Sequence, residues 1–113
     1  MTAAVYWRDN FEMALKEAGE QEHPVVLELY MEGCPHCLRL HRETHADQAV
    51  ATALNTRFIP VRLEGRQHMD VVKKYHVAGA PTTLIFSPEG QELHRFAGFL
   101  PPAEYLKELA RFG

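Results

Sequence analysis

Pro24-Val25-Val26-Leu27-Glu28-Leu29-Tyr30-Met31-Glu32-Gly33-Cys34-Pro35-His36-Cys37 is the stretch on which the reading of this chain turns. Its first half, Val25 to Met31, has the β-branched and apolar make-up of a buried strand, interrupted only by Glu28. From Pro35 to about Thr44 the pattern becomes helical, with Pro35 in the first turn, where its missing N–H is harmless and its fixed φ suits a helix start. A buried strand therefore hands two cysteines to the beginning of a helix. They are the only cysteines of the chain, and the loop they would close is too small to staple a fold of this size. The bland alternative is two small hydrophobes that happen to be neighbours; the spacing and place favour chemistry.

Working outward, Phe11, Ala14, Leu15 and Ala18 recur at helical spacing, which predicts an amphipathic helix from about Arg8 to Glu20. Asp9 is its expected cap, and Gly19 and then Pro24 its expected end. Asp47 reads as the N-cap of a short helix through Leu54, Arg57 to Leu63 as a second strand, and Met69 to Tyr75 as another short helix. Thr82 to Phe86 reads as a third strand, which Ser87-Pro88-Glu89-Gly90 turns into an antiparallel partner over Gln91 to Ala97. Pro101 and Pro102 open a last helix, Ala103 to Phe112. The order is a βαβ half followed by a ββα half, with no repeat or linker between them. At 113 residues, 46% of them apolar, residues 1–113 are expected to form one domain around one core.

A thiolate, not a thiol, attacks a disulfide. Cys34 sits at the handover from strand to helix, where unpaired backbone N–H groups and the positive end of the helix dipole favour the thiolate. Cys37, one turn further in, is expected to be more shielded. Cys34 is thus read as the attacking cysteine and Cys37 as the one that resolves the mixed disulfide. His36 can become cationic near neutral pH and would then stabilise the thiolate relative to the disulfide, making the pair more oxidising. Its plainer reading is a solvated helix side chain.

The chain carries 12 Lys and Arg against 15 Asp and Glu, spread rather than gathered in blocks, so no footprint for nucleic acid or an anionic membrane appears. The longest apolar run is far short of the ~20 residues of a membrane span. No Gly-rich phosphate loop follows any strand, so no coenzyme is expected and electrons must arrive by thiol exchange. Residues 1–9 lack the basic start and apolar stretch of an export signal. That favours the cytoplasm if Met1 is the natural start, and leaves the periplasm open if the chain is trimmed.

The segments Val25 to Tyr30, Cys34-Pro35-His36-Cys37, Gly79-Ala80-Pro81-Thr82-Thr83-Leu84-Ile85-Phe86 and Phe96-Ala97-Gly98-Phe99 together resemble the thioredoxin superfamily over nearly the whole chain. Within it, the chain most resembles the short thioredoxin-like domains related to the carboxy-terminal domain of the thiol:disulfide interchange proteins. The resemblance implies an α/β thioredoxin fold, with a central mixed sheet of about four strands flanked by helices on both faces. It also implies a thiol:disulfide oxidoreductase acting on protein or small-molecule disulfides, recycled by a thiol reductase or oxidase and working as a monomer. Pro81 would be cis and lie against the cysteine pair, leaving the backbone of Ala80 free to pair with an extended substrate. Glu28 matches the buried acid of thioredoxins. A carboxylate among apolar neighbours should have a raised pKa, suiting a general base acting through water near Cys37, unless it is an edge-facing surface residue. Two departures fall on the substrate-facing surface: Gly33 stands where many thioredoxins carry tryptophan, and Pro35-His36 replaces Gly-Pro. Pro-His is also the dipeptide of strongly oxidising thiol oxidases, whose helical insertion has no room here, so the direction of electron flow stays open.

Two other classes compete. Cys37, His41 and His45 recur at i, i+4 and i+8, and thiolate with imidazole would suit zinc or copper. His45 lies roughly 12 Å along the helix axis from Cys37, so only Cys34, Cys37 and His41 could share an ion in a metal carrier. His41 is otherwise a solvated helix residue. His23, His68, His76 and His94 show no ligand spacing, and Tyr6, Trp7, Phe11 and Phe112 read as core or rim. A non-catalytic interaction module is the third class, against which the two intact cysteines argue.

Overall fold

The computed structural model describes residues 4–113. Its elements follow the expected order: α1 (Phe11–Gln21), β1 (Val25–Tyr30), α2 (Pro35–Arg39), a π-helical continuation (Leu40–His45), α3 (Gln48–Arg57), β2 (Ile59–Glu64), α4 (Met69–Lys74), β3 (Thr82–Phe86), β4 (Glu92–Ala97) and α5 (Pro102–Ala110). The four strands form one sheet in the order β2-β1-β3-β4. β1 pairs parallel with β2 and antiparallel with β3, and β3 pairs antiparallel with β4, so the sheet is mixed.

β1 lies inside the sheet, which explains its nearly unbroken apolar run: both of its faces are covered. Side chains alternate across a strand. Val25, Leu27 and Leu29 pack with Phe11, Ala14 and Ala18 of α1 and with Val71 of α4. Val26 points the other way, into a layer with Leu40, Val50, Leu54, Ile85, Tyr105 and Leu109. Helices thus cover both faces, as the resemblance implies.

Several boundaries differ from the sequence reading, those of α1, α3 and β2 most, and the last helix runs over Pro102–Ala110 rather than Ala103 to Phe112. The cap of α1 is Asn10 rather than Asp9: Asn10 Oδ1 accepts the Met13 N–H at 3.0 Å, so the helix starts at Phe11 and not at Arg8. Gly19 lies inside α1, whose end is set by Glu22 in the left-handed region with φ 57°. α3 continues to Arg57, three residues past Leu54, so β2 starts at Ile59 and closes with Glu64. Asp47 does cap α3, its carboxylate accepting the Ala49 and Val50 N–H groups.

Candidate active site

β1 ends at Tyr30, and four residues later Cys34 occupies the N-cap of α2. The fit is local. Pro35 takes the first helical position, and Cys34 Sγ accepts the Cys37 N–H at 3.2 Å in place of the usual hydroxyl or carboxylate cap. The chain reaches that corner through Gly33, whose φ of +80° is open to glycine at little cost, and no atom stands within 4 Å of where its Cβ would be. Both cysteines are free thiols, Cys34 half-buried and Cys37 buried. Burial first, and then the hydrogen bond and charge of Cys34 and the charge of Glu28, push the Cys37 thiol up to about 12.

Cys34, Pro35 and Cys37 line an open cleft of about 490 Å³ with Gly33, Leu38, His41 and Arg62 among its other walls. Across from them runs the loop before β3. Its Ala80–Pro81 bond is cis, Pro81 is buried, and the Ala80 carbonyl accepts from the Cys34 thiol at 3.6 Å. The fold thus brings Gly33, Cys34, Pro35, Cys37, Ala80 and Pro81 together from segments nearly fifty residues apart. His36 is exposed. Among the described residues its side chain makes no hydrogen bond or ion pair.

Glu28 departs from expectation. It is fully buried, on the β1 face that looks toward α2 and α5, and so is no edge-facing surface residue. Its pKa, however, is lowered rather than raised. Burial alone would push the carboxyl up. Two partners outweigh it: His45 Nε2 lies 2.7 Å from Oε1, and the Arg62 guanidinium donates to Oε2 at 2.9 Å. Register makes the second inevitable, since Arg62 sits directly beside Glu28 across the parallel β1–β2 pair. Arg62 is also held over the Tyr30 ring at 3.7 Å, which fixes its plane.

Three functional candidates escaped the sequence reading. His45 is only 3% exposed, with the Trp7 ring 4.7 Å from its own; the signal was a mid-strand acid that needed a donor. Arg62 could have been found the same way once the strand register was known. Glu64 gave no sequence signal. Its carboxylate accepts the backbone N–H of Glu32 at 2.9 Å and those of Arg66 and Gln67 at 2.6 and 3.3 Å, tying the loop that carries Cys34 to the loop after β2. Those hydrogen bonds, that of Glu32 above all, hold the Glu64 carboxyl below the usual carboxylate range.

His41 is not simply solvated, since its Nδ1 meets His45 Nδ1 at 3.0 Å. Among the described residues, no three His, Cys, Asp or Glu side chains converge in a way that could hold a metal ion. The carrier reading through Cys34, Cys37 and His41 therefore has no ligand set to support it. Nor is any helix of the described residues long and apolar enough to cross a membrane.

Comparison with known proteins agrees with this geometry. Residues 11–113 match the family described as thioredoxin-like domain. The chain is 34% identical over 97 residues to the thiol:disulfide interchange protein DsbD of Yersinia pestis (strain Pestoides F), covering 81% of this chain and 16% of that protein. It is 31% identical over 103 residues to the same-named protein of Actinobacillus pleuropneumoniae serotype 5b, covering 87% and 18%. The chain thus spans less than a fifth of the length of these relatives. Among solved structures, a thioredoxin from Thermus thermophilus superposes with a TM-score of 0.85 at 26% identity, over 96% of this chain and 86% of that one. By sequence match and by fold, the chain belongs to the thioredoxin-like domain family.

Proposed function

We propose that this protein is a thiol:disulfide oxidoreductase working by dithiol–disulfide exchange on protein or small-molecule disulfides. The observation that carries the reading is the asymmetry of the cysteine pair. Cys34, half-buried at the helix start, opens on the cleft with a backbone N–H on its sulfur; Cys37 is buried and its thiol is held protonated. Cys34 attacks one sulfur of the substrate disulfide and the first substrate thiolate leaves. Cys37 then attacks Cys34, the Cys34–substrate bond breaks, and the second thiolate leaves. The pair ends oxidised and the substrate reduced, or the reverse when the sequence runs backwards. Gly33 and Ala80 flank the exchange site with backbone that suits an extended peptide recognised without demand on its sequence, and buried Pro81 holds Ala80 there. A thiol reductase or oxidase recycles the pair, consistent with likeness to proteins named for thiol:disulfide interchange.

Equilibration with glutathione and counting of free thiols tests the reading. A reversible Cys34–Cys37 disulfide is expected. Its potential decides the direction: near about −270 mV the pair is a reductant, near about −120 mV a disulfide donor. Cys34→Ser abolishes exchange, whereas Cys37→Ser leaves a trapped mixed disulfide on Cys34. His36→Ala moves the potential downward if the imidazole tunes the pair, and leaves it unchanged if His36 is only solvated. Absence of any reversible disulfide removes the whole reading.

A further inference from the structure

Before Cys37 can attack, its proton must go somewhere, and burial and the charge of Glu28, which raise the Cys37 pKa whether or not Cys34 is bound to substrate, keep that proton from passing quickly to water near neutral pH. Glu28 is badly placed to take it: the carboxylate already holds Arg62 and His45, and those partners make it a weaker base. Arg62 is a permanent cation. Glu32 sits exposed at the rim of the cleft, and His36 does not line it. His41 remains. It stands one helical turn after Cys37, where side chains at i and i+4 share a face about 5–6 Å apart at Cβ, and it lines the same cleft as both cysteines.

We propose that His41 takes the proton from Cys37 during resolution of the mixed disulfide, and that buried His45 is a positioning residue that sets the tautomer of His41 from the Glu28 carboxylate. This role presupposes dithiol–disulfide exchange by Cys34 and Cys37. Protons follow from the contacts. Glu28 accepts only, and its Oε1 stands 2.7 Å from His45 Nε2, an ion-pair distance at which that nitrogen carries a proton. In neutral His45 the acceptor is then Nδ1, and the 3.0 Å contact is donated by His41 Nδ1–H. That leaves the lone pair of His41 on Nε2, the atom turned away from His45 and free to accept. The π-helical turn over Leu40–His45 brings the two rings face to edge, their centroids 5.2 Å apart; such turns are frequent at functional sites.

The groups around this pair fit the task. His41 shares the cleft wall with Cys34 and Cys37, with Arg62 of β2 and with Tyr30 and Glu32; the charges of Arg62, His45 and Glu28 act on it. His45 is enclosed by Glu28, by Trp7 and by Tyr105 of α5. Burial, Arg62 and His45 lower the pKa of His41, so the free base prevails at neutral pH. In the step itself the Cys37 S–H bond breaks and a His41 Nε2–H bond forms. The resulting charge is shared with His45 through the Nδ1 contact and faces the Glu28 carboxylate. The Cys37 thiolate then attacks Cys34, the substrate thiolate departs, and His41 returns its proton to that thiolate or to water in the open cleft.

Reduced protein mixed with 5,5′-dithiobis(2-nitrobenzoate) separates the steps. Attack by Cys34 releases one thionitrobenzoate, and closure by Cys37 releases the second. In His41→Ala, an exposed position, the first phase is expected to be unchanged. The second should slow about 100-fold near pH 7, recover with added imidazole, and approach wild type as hydroxide takes over above roughly pH 9. His45→Gln keeps a donor for Glu28 and loses the His41 contact; it should slow only the second phase and displace its pH midpoint. A second phase in His41→Ala equal to wild type at every pH overturns the proposal. Equal slowing of both phases in His45→Gln reduces that residue to a structural one and overturns its half. Wild-type protein that never releases the second thionitrobenzoate would instead sink the exchange reading itself.

Discussion

The two faces of β1 are built from opposite materials. Toward α1 and α4, Val25, Leu27 and Leu29 pack in an apolar cluster, with Thr82 beside Leu29 as a small polar neighbour. Toward α2, α3 and α5, the same strand offers Val26 and then Glu28, and around Glu28 gather His45, Arg62 and the Cys37 end of the cysteine pair. The first face gains stability from area removed from water, which is indifferent to direction. The second spends part of its burial on charges that are costly to desolvate and are tolerated because each has a partner at hydrogen-bond distance. Chemistry sits where the sheet accepts that cost. A residue is therefore replaceable on the first face by anything of similar volume, and on the second only by something that keeps the charges matched.

Glu28→Gln should break the contrast most severely. The amide is the same size, yet it leaves Arg62 and His45 facing a neutral group in a buried site, so a loss of about 3–5 kcal/mol is expected by denaturant titration. The pH dependence has a definite sign. Native Glu28 has a lowered pKa, so the unfolded chain binds the proton first as pH falls. Its contribution is complete above the ordinary glutamate value of about 4.3 and is lost as pH drops through the lower native value. Wild type and variant should converge in stability there, and a gap that stays constant down to the lowest pH would show that the ion pairs are not its source.

Leu27→Ala asks the same of the other face. Leu27 is fully buried at the centre of the sheet, and truncation should cost about 3 kcal/mol, within the usual range of 2–5. Unlike the changes at His41 and His45, it should leave both phases of thionitrobenzoate release at the wild-type rate. Selective slowing of the second phase would mean that the apolar layer is coupled to the cysteines and that the two faces are not separable.

This division also governs what could be read from the sequence. Apolar periodicity reports burial, so β1, β3, the β3–β4 hairpin and the layers they imply were legible, as was the placing of Cys34 and Cys37 at a helix start opposite a cis Pro81. Glu28 was recognisable as an oddity within a strand. The sign of its pKa shift was not, because that depends on Arg62, thirty-four residues away and adjacent only through parallel register, and on His45, brought near by a π-helical turn that a 3.6-residue period does not anticipate. Glu64 was invisible for a similar reason: its partners are backbone N–H groups, which every sequence has.

The smallest expected effect concerns how the apolar face is started. α1 covers that face, and its first turn depends on one polar side chain chosen between two adjacent candidates, Asp9 and Asn10. Either is a good cap by type. Geometry selects Asn10, because the helix begins at Phe11 so that Phe11, Ala14 and Ala18 point at the sheet; starting one residue earlier would place the cap out of reach of the Met13 N–H it serves. Arg8, expected inside the helix, instead pairs with β2, its N–H donating to Pro60 O at 2.9 Å and its carbonyl accepting from Arg62 N at 3.0 Å. Asn10→Ala should therefore cost about 1 kcal/mol, and Asp9→Ala, at an exposed position, a few tenths at most. A larger loss at Asp9 than at Asn10 would put the helix start back at Arg8 and detach that residue from β2. The apolar face would then be anchored to its sheet differently from the way its side chains are packed.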